Sequence, residues 1–232
     1  MVGCCPVVEL RQYTLRPGQR DVLVELFDRE LIEGQEATGM AIIGQFRDLD
    51  RPDRFVWLRG FPDMERRLRS LESFYGGPGW KDHSSAANAT MIDVDDVLLL
   101  RPAGPTSGFG EMPPRPGRGE DVPSSPLIAT VCSVDGPIAP DRLEQLLPAL
   151  DALRPSVLAA FVEEPSENTF PALPVRVGEH VVVWLQRVAS TDPSDLDASA
   201  RASAELARAL VPGLVADPVQ LRLAPTARSR LR

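Results

Sequence analysis

Several residue types that mark functional classes are scarce in this 232-residue chain. Lys81 is the only lysine, and the sequence has only two histidines and two tyrosines. The formal net charge is −8 at pH 7, so the chain lacks the basic character that nucleic-acid binding requires. Because arginine almost entirely replaces lysine, and alanine, proline and valine are abundant, the composition is typical of a GC-rich bacterial genome. We therefore expect a bacterial protein with no nucleic-acid partner.

Cysteine pairs and long apolar segments are also missing. Three cysteines without a CxxC spacing do not make a disulfide framework, which favours a reducing compartment. No apolar run approaches the length that crosses a bilayer. The first residues carry no charged region followed by an apolar one, as a secretory signal would. We expect a cytoplasmic protein with no membrane partner.

The fingerprints of nucleotide and hydrolase sites are absent as well. The sequence has no GxGxxG, no P-loop and no GxSxG, and its Gly-Gly-Pro-Gly segment at 76–79 predicts a turn. Asp93, Asp95 and Asp96 have no histidine nearby in the sequence, so a solvated strand end is a better interpretation than a metal site. We expect neither a tightly bound organic cofactor nor a metal.

The chain does contain a regular alternation of strand and helix patterns. In the first half, segments with a period of two alternate with segments that have apolar residues at helical spacing. Leu23, Leu26, Phe27 and Leu31 form the apolar stripe of the first helix. The order is β-α-β-β-α-β, the ferredoxin-like arrangement. Strands are predicted at 7–15, 40–47, 55–59 and 91–100, and helices are predicted to begin near residues 17, 62 and 80.

The second half repeats this order more faintly. The segment 56–59 (VWLR) is echoed by 183–186 (VWLQ) at the same point of the second half. Residues 104–126 are rich in glycine, proline and serine and predict a linker. We therefore divide the chain into a first domain at 1–103, the linker, and a degenerate second repeat at 127–226.

Two such repeats predict a specific architecture. Each four-stranded sheet has helices on one face only, and both bare faces are buried if the two sheets pack together. The predicted fold is α+β, with two ferredoxin-like β-α-β-β-α-β repeats packed sheet to sheet as a dimeric-type α+β barrel. The chain would then be a monomer with an internal pseudo-dimer, or it would form a homodimer.

Strand alternation places polar and aromatic side chains together on one face of the first sheet. The opposite face is apolar and is expected to meet the helices, which directs the polar set into the barrel. Charges inside a barrel are costly unless paired, so we expect Glu9 to pair with Arg11 or Arg59. This pattern fits structural ion pairs and a ligand site equally well. The polar set comprises Glu9, Arg11, Tyr13, Phe55, Trp57 and Arg59, and the apolar set comprises Val8, Leu10, Val56 and Leu58.

His83 is the strongest candidate for a general base, because imidazole titrates near neutral pH. It follows Trp80 in a glycine-flanked segment that is expected to cap the barrel mouth. Arg59 and Tyr13 would stabilise an oxyanion. Structural roles remain open for all of them, since a lone histidine is more often a surface or packing residue and aromatic rings more often fill a core. The expected substrate-binding residues are Glu9, Arg11, Phe46, Trp57, Tyr75 and Trp80.

Three separated segments resemble the NIPSNAP family. They are 9–15 (ELRQYTL) followed by Pro17 and Gly18, 39–46 (GMAIIGQF), and 56–61 (VWLRGF) followed by Arg66 and Trp80. The resemblance covers residues 7–101. It implies a dimeric α+β barrel related to cofactor-independent monooxygenases, and it does not imply one agreed activity or catalytic set.

The leading hypothesis is a small-molecule enzyme of the α+β-barrel type without a tightly bound organic cofactor. It would act on a small aromatic or polyketide-like substrate by oxygenation, isomerisation or cyclisation, with His83 as the acid–base group. The alternatives are a non-catalytic NIPSNAP protein that binds a small-molecule ligand, and a scaffold whose barrel is packed shut. An enzyme requires an open pocket that His83 faces, a binding protein requires the pocket alone, and a scaffold requires Trp57 and its neighbours to fill the barrel.

Overall fold

In the computed structural model, which describes residues 5–120, 124–151 and 156–232, both halves contain the predicted order of strands and helices. In the first half, a π-helical turn (Phe27–Leu31) joins the first two helices into one continuous helical stretch. The elements of the first half are β1 (Val7–Leu15), α1 (Arg20–Leu26), α2 (Ile32–Glu36), β2 (Ala41–Asp48), β3 (Arg54–Phe61), α3 (Met64–Gly76), α4 (Pro78–Thr90) and β4 (Met91–Pro102).

The second half follows after an irregular segment. Residues 103–120 and 124–126 contain no helix or strand, in keeping with the Gly/Pro-rich sequence there. The elements of the second half are β5 (Leu127–Val134), α5 (Pro140–Asp151), β6 (Val157–Glu163), β7 (His180–Arg187), α6 (Pro193–Leu210) and β8 (Val219–Pro225).

Helix starts follow local sequence signals. The side chain of Asp63 caps α3 by accepting a hydrogen bond from the backbone N–H of Arg66 at 2.6 Å. Asp192 caps α6 in the same way, and proline occupies the first turn of both α4 and α6. These signals explain why the sequence predicts the helix boundaries to within two or three residues.

The strands form one closed barrel in the order β1-β3-β2-β8-β5-β7-β6-β4. The four strands of each half keep the same relative order, and the halves join edge to edge where β2 pairs with β8 and β4 pairs with β6, both antiparallel. The predicted pair of ferredoxin-like sheets facing each other is therefore only partly correct. Edge pairing satisfies backbone groups that two separate sheets would leave exposed, which favours closure.

The barrel interior is apolar, so the predicted direction of the polar face is wrong. Val8, Leu10, Val56 and Leu58 pack in one buried cluster with residues of the second half such as Phe161. The polar and aromatic set faces the helices instead, where Tyr13, Phe55 and Trp57 pack against helical residues. The interior of a small barrel is filled by side chains, and strands from both halves direct their most apolar faces there.

The end of the chain and the irregular segment pack against the barrel. Leu231 belongs to the interior cluster, and the hydroxyl of Ser229 accepts a hydrogen bond from the backbone N–H of Gln45 at 3.2 Å.

Cys132 is a buried free thiol. Cys5 is disulfide-bonded, which the cysteine spacing did not predict. Within the described ranges, every helix is too short or too polar to cross a bilayer.

Candidate functional site

A cavity of about 80 Å³ lies between the first-half strands and their helices, outside the barrel. Its lining is predominantly apolar, with Gln35 and Asn88 as the amide-bearing side chains. Leu173, from the loop after β6, completes the lining from the second half. Its aromatic side chains are Tyr13, Phe27, Trp57, Phe74, Tyr75 and Trp80.

Local backbone geometry directs these side chains toward one another. The π-helical turn contains Phe27 and Leu31, and Gln35 follows one turn later, so that all three face the cavity. Phe27 packs edge-on against Trp57 with ring centroids 4.9 Å apart, and Tyr13 does so at 5.8 Å. Such edge-to-face contacts fix ring orientation.

Beside the cavity lies a cluster of buried charges formed by one carboxylate and three guanidinium groups. Glu9 Oε2 accepts hydrogen bonds from Arg11 Nη1 and Arg59 Nε, both at 2.7 Å. Glu9 Oε1 accepts from Arg67 Nε, also at 2.7 Å. All four side chains have 0% exposure. The predicted pairing of Glu9 with Arg11 or Arg59 is confirmed, and both pairs form together. We call these four residues the arginine cluster.

The arginine cluster strongly favours the ionised form of its carboxyl group. Burial alone would raise the pKa of Glu9, but the charges of Arg59, Arg11 and Arg67 outweigh it and hold that pKa well below its usual range. Burial lowers the pKa of Arg67, and Glu9 opposes that effect. With all three arginines charged, the cluster holds a buried net positive charge.

Tyr13 connects the arginine cluster to the cavity. Its phenol oxygen accepts a hydrogen bond from Arg11 Nε at 3.0 Å, and the Arg11 guanidinium carbon lies 5.5 Å from the centre of the Tyr13 ring. Burial raises the pKa of Tyr13, and Arg11 opposes part of that rise. The phenol therefore keeps its proton at neutral pH, and because its oxygen is the acceptor toward Arg11, that proton is available to a ligand.

The second half supplies one wall of the site. Arg67 Nη1 donates to Asn168 Oδ1 at 3.0 Å and to Thr169 Oγ1 at 3.1 Å. Phe170 stacks on Tyr75 with ring centroids 5.9 Å apart. The loop after β6 therefore covers the site on the side where the first half is open.

Seven of the nine predicted site residues fall into two groups beside each other. Tyr13, Trp57, Tyr75 and Trp80 line the cavity. Glu9, Arg11 and Arg59 belong to the arginine cluster.

Phe46 and His83 lie elsewhere. Phe46 faces the barrel interior, because a bulge between Ile42 and Gly44 shifts the alternation of β2 by one residue. His83 lies on α4 with its side chain one-third exposed, its Nε2 3.8 Å from Glu30 Oε2, and it is not part of the cavity lining.

Arg67 and Gln35 are two of the site residues that were not predicted. Arg67 has a detectable signal, since it lies between Met64 and Leu71 in the buried stripe of α3, where an apolar residue is expected. Gln35 has the same kind of signal, because it lies four residues after Leu31 and continues the apolar stripe of the first helix. The described residues contain no group of three or more histidine, cysteine, aspartate or glutamate side chains that could hold a metal ion.

Solved structures with the same overall fold cover almost the whole chain. A provisionally assigned monooxygenase from Lactobacillus acidophilus NCFM has a TM-score of 0.56 and 10% identity, covering 98% of this chain and 97% of its own. A second one, from Fusobacterium nucleatum subsp. nucleatum ATCC 25586, has a TM-score of 0.53 and 7% identity, with 97% and 94% covered. An anthrone oxidase-like protein has a TM-score of 0.52 and 15% identity, also with 97% and 94% covered.

Sequence comparison identifies the first half more closely. Residues 8–105 match the model of the NIPSNAP family. No curated protein matches the sequence. The structural likenesses are all at low identity, so they show a shared fold and leave the chemistry to the residues of this chain.

Proposed function

The first half of this chain, residues 8–105, is a NIPSNAP domain, and we propose that it binds a small planar aromatic molecule in the cavity between its strands and helices. The observation that carries the proposal is an aromatic-lined cavity in which a buried arginine fixes the hydroxyl of Tyr13. A mostly apolar lining with a few fixed polar groups is the usual character of a small-molecule site.

Ligand entry requires the rim of the cavity to open. The volume of about 80 Å³ is smaller than the roughly 150 Å³ of an engineered cavity that holds benzene. Tyr75, Trp80 and Leu173 are half-buried, whereas Phe27 and Trp57 are fully buried. We therefore assign the entrance to the half-buried side, where Phe170 stacks on Tyr75.

Tyr13 is the group that would orient the ligand. Its phenol is neutral and fixed by Arg11, so it can donate a hydrogen bond to a carbonyl or phenol oxygen. The buried charge of Arg11 would stabilise negative charge that develops on that oxygen. Both groups come from β1, a rigid element, and their positions do not depend on a loop.

Turnover of the ligand is the second candidate, and the Tyr13–Arg11 pair favours it. A proton donor backed by a fixed cation suits the enolate or phenolate intermediates of oxygenation, isomerisation and cyclisation. The names of the structural neighbours, monooxygenase and anthrone oxidase-like, belong to the same range of reactions. In this scheme Tyr13 serves as the acid and no tightly bound organic cofactor takes part. The general-base role of His83 stays a prediction that the scheme does not require.

The experiment begins with native mass spectrometry of the purified protein against its denatured mass. A co-purifying small molecule would identify the ligand class directly. A panel of phenols and aromatic ketones is then titrated while the fluorescence of the tryptophans is followed, since Trp57 and Trp80 line the cavity.

Tyr13→Phe removes only the hydroxyl and should weaken binding of an oxygen-bearing ligand by about 3- to 10-fold. Tyr75→Phe removes the hydroxyl of the other tyrosine in the lining, and its effect should be the smaller of the two because Arg11 does not hydrogen-bond to it. His83→Ala should leave binding unchanged. If no compound in the panel changes the fluorescence and none co-purifies, the proposed binding function is wrong.

A further inference from the structure

The arginine cluster contains more positive than negative charge. Arg11, Arg59 and Arg67 all pair with Glu9, and within the described ranges no other acidic side chain pairs with any of the three. One carboxylate opposite three guanidinium groups leaves two positive charges that are fully buried. Buried charge is costly unless it is paired, so the cluster is poorly balanced by the protein alone.

Each of the three arginines also has an unused hydrogen-bond donor. Nη2 of Arg11, of Arg59 and of Arg67 is buried and has no hydrogen-bond partner among the described residues. The indole Nε1 of Trp57 is in the same state. Buried donors are nearly always satisfied in folded proteins, and four of them around one cluster indicate an acceptor that the protein does not supply.

The donors of Arg11 and Arg59 belong to side chains that contact the lining of the cavity, and Trp57 is itself part of that lining. Arg11 donates to Tyr13, and Arg59 Nη1 donates to Gln35 Oε1 at 3.3 Å. Arg11 and Arg59 lie on the ring of Trp57, with guanidinium carbons 5.7 Å and 5.1 Å from its centre. Since Tyr13, Gln35 and Trp57 all line the cavity, the arginine cluster lies directly behind that part of the lining.

We propose that the ligand of the cavity is an aromatic carboxylic acid whose carboxylate is held by the arginine cluster. The inference rests on the proposed function, because it assigns the charge of the molecule that the cavity binds. A carboxylate is a planar acceptor that matches guanidinium N–H groups. Its negative charge offsets part of the buried positive charge, while the ring occupies the aromatic part of the cavity.

A purely structural cluster is the competing explanation. The guanidinium groups of Arg59 and Arg67 also lie over the ring of Phe61, at 5.6 Å and 6.0 Å, and water could satisfy the remaining donors. A free inorganic anion is another source of the same chemistry. The experiment must therefore distinguish three cases: the arginine cluster binds an aromatic acid, it binds an inorganic anion, or it binds no anion.

The test compares matched pairs of ligands that differ only in charge. Binding of 4-hydroxybenzoate and 4-hydroxybenzamide, and of benzoate and benzamide, is measured by tryptophan fluorescence and calorimetry at pH 7.5 in chloride-free buffer. We expect each acid to bind at least about tenfold more tightly than its amide, since charge-assisted hydrogen bonds inside a protein are the strong ones. Thermal unfolding with sodium chloride or inorganic phosphate alone is measured in parallel.

Every outcome decides the assignment. Tighter binding of the acids supports it. Equal binding of acid and amide overturns the carboxylate assignment and leaves the proposed binding function intact. Stabilisation by chloride or phosphate without binding of any aromatic compound assigns the cluster to an inorganic anion and overturns the inference. If no aromatic compound binds to the protein and neither chloride nor phosphate stabilises it, the inference and the proposed function both fail.

A variant tests the residues directly. Arg59→Gln removes one charge and keeps an amide that can donate to Glu9, so the preference for acid over amide should fall at least fivefold while amide binding is kept. Arg54→Gln, in the same strand and mostly buried, hydrogen-bonds to Gln12 at 2.8 Å and serves as the control. If Arg59→Gln does not fold, as judged by circular dichroism, the matched ligand pairs on the unaltered protein still decide the question.

Discussion

At the scale of single residues, Glu9 holds the site together. Both of its oxygens accept hydrogen bonds from arginines, at 2.7 Å in each case. Without that carboxylate the three guanidinium groups would repel one another in a buried environment. Removing the carboxylate of Glu9 should therefore reduce stability much more than removing an exposed salt bridge, whose contribution to stability is small.

Glu9→Gln should lower the free energy of unfolding by about 3–5 kcal/mol, because it leaves buried charges unpaired. Urea unfolding followed by circular dichroism measures the change. The control is Glu65→Gln, whose carboxylate pairs with Arg69 on the surface with its side chain 77% exposed; that change should stay within about 0.5 kcal/mol. Equal effects of the two substitutions would show that the cluster is not a source of stability.

The same carboxylate predicts how stability depends on pH. The pKa of Glu9 is lowered on folding from 4.5, so its stabilising effect is fully present above that value and is lost as the pH falls toward the folded pKa. The stability difference between the unaltered protein and Glu9→Gln should be constant from pH 7 to about pH 5. Below about pH 4 it should shrink by roughly 1.4 kcal/mol per pH unit. Urea midpoints at pH 7, 5, 4 and 3 test this, and a difference that does not change with pH would contradict it.

At the scale of elements, one bulge decides which face of β2 enters the barrel. Strict alternation would put Phe46 on the same face as Ile42, toward the helices. The register shift between Ile42 and Gly44 reverses this, so that Phe46 joins the interior cluster. Glycine is required at the bulge, because a Cβ at Gly44 would lie 2.5 Å from Cζ of Phe46.

Gly44→Ala should therefore lower stability by about 1–3 kcal/mol, through overpacking against Phe46. Thermal and urea unfolding measure the effect. Gly110→Ala is the matched control, since a Cβ there would meet no atom within 4 Å, and it should be close to neutral. If Gly44→Ala were equally neutral, the bulge would not be held by the close contact described here.

At the scale of the whole molecule, the two halves share one interior. Leu10 and Leu58 pack in the same cluster as Phe161 and Val183, and strand pairing at both seams closes the barrel. The site depends on this closure as well, because Leu173 lines the cavity and Asn168 and Thr169 bind Arg67 from the second half. The halves should therefore unfold together.

Single-transition unfolding tests that dependence. In Trp184→Phe the remaining tryptophans, Trp57 and Trp80, report on the first half, while far-UV circular dichroism reports on the whole chain. We expect the fluorescence and dichroism midpoints in urea to coincide. Two separate midpoints would mean that each half folds on its own and that the shared interior contributes little to cooperative unfolding.

Much of the local structure could be predicted from the sequence. Strand β1 was predicted at its observed bounds, and the caps and prolines placed the helices. The ion pairs of Glu9 followed from strand alternation, since residues 9 and 11 lie on one face and β3 places Arg59 opposite Glu9. These features depend on residues close together in the chain or on one strand pair.

The tertiary structure alone decided where the site lies. The sequence determined that Glu9, Arg11, Tyr13 and Trp57 share a face, because alternation is a property of each strand. Whether that face points into the barrel or toward the helices depends on pairing between strands that are far apart in the sequence. When the barrel closes, the apolar face of each strand is buried in the interior. The contribution of Arg67 and the position of His83 outside the cavity lining have the same origin. Helix orientation over the sheet is fixed by packing between elements and not by the apolar period within one helix.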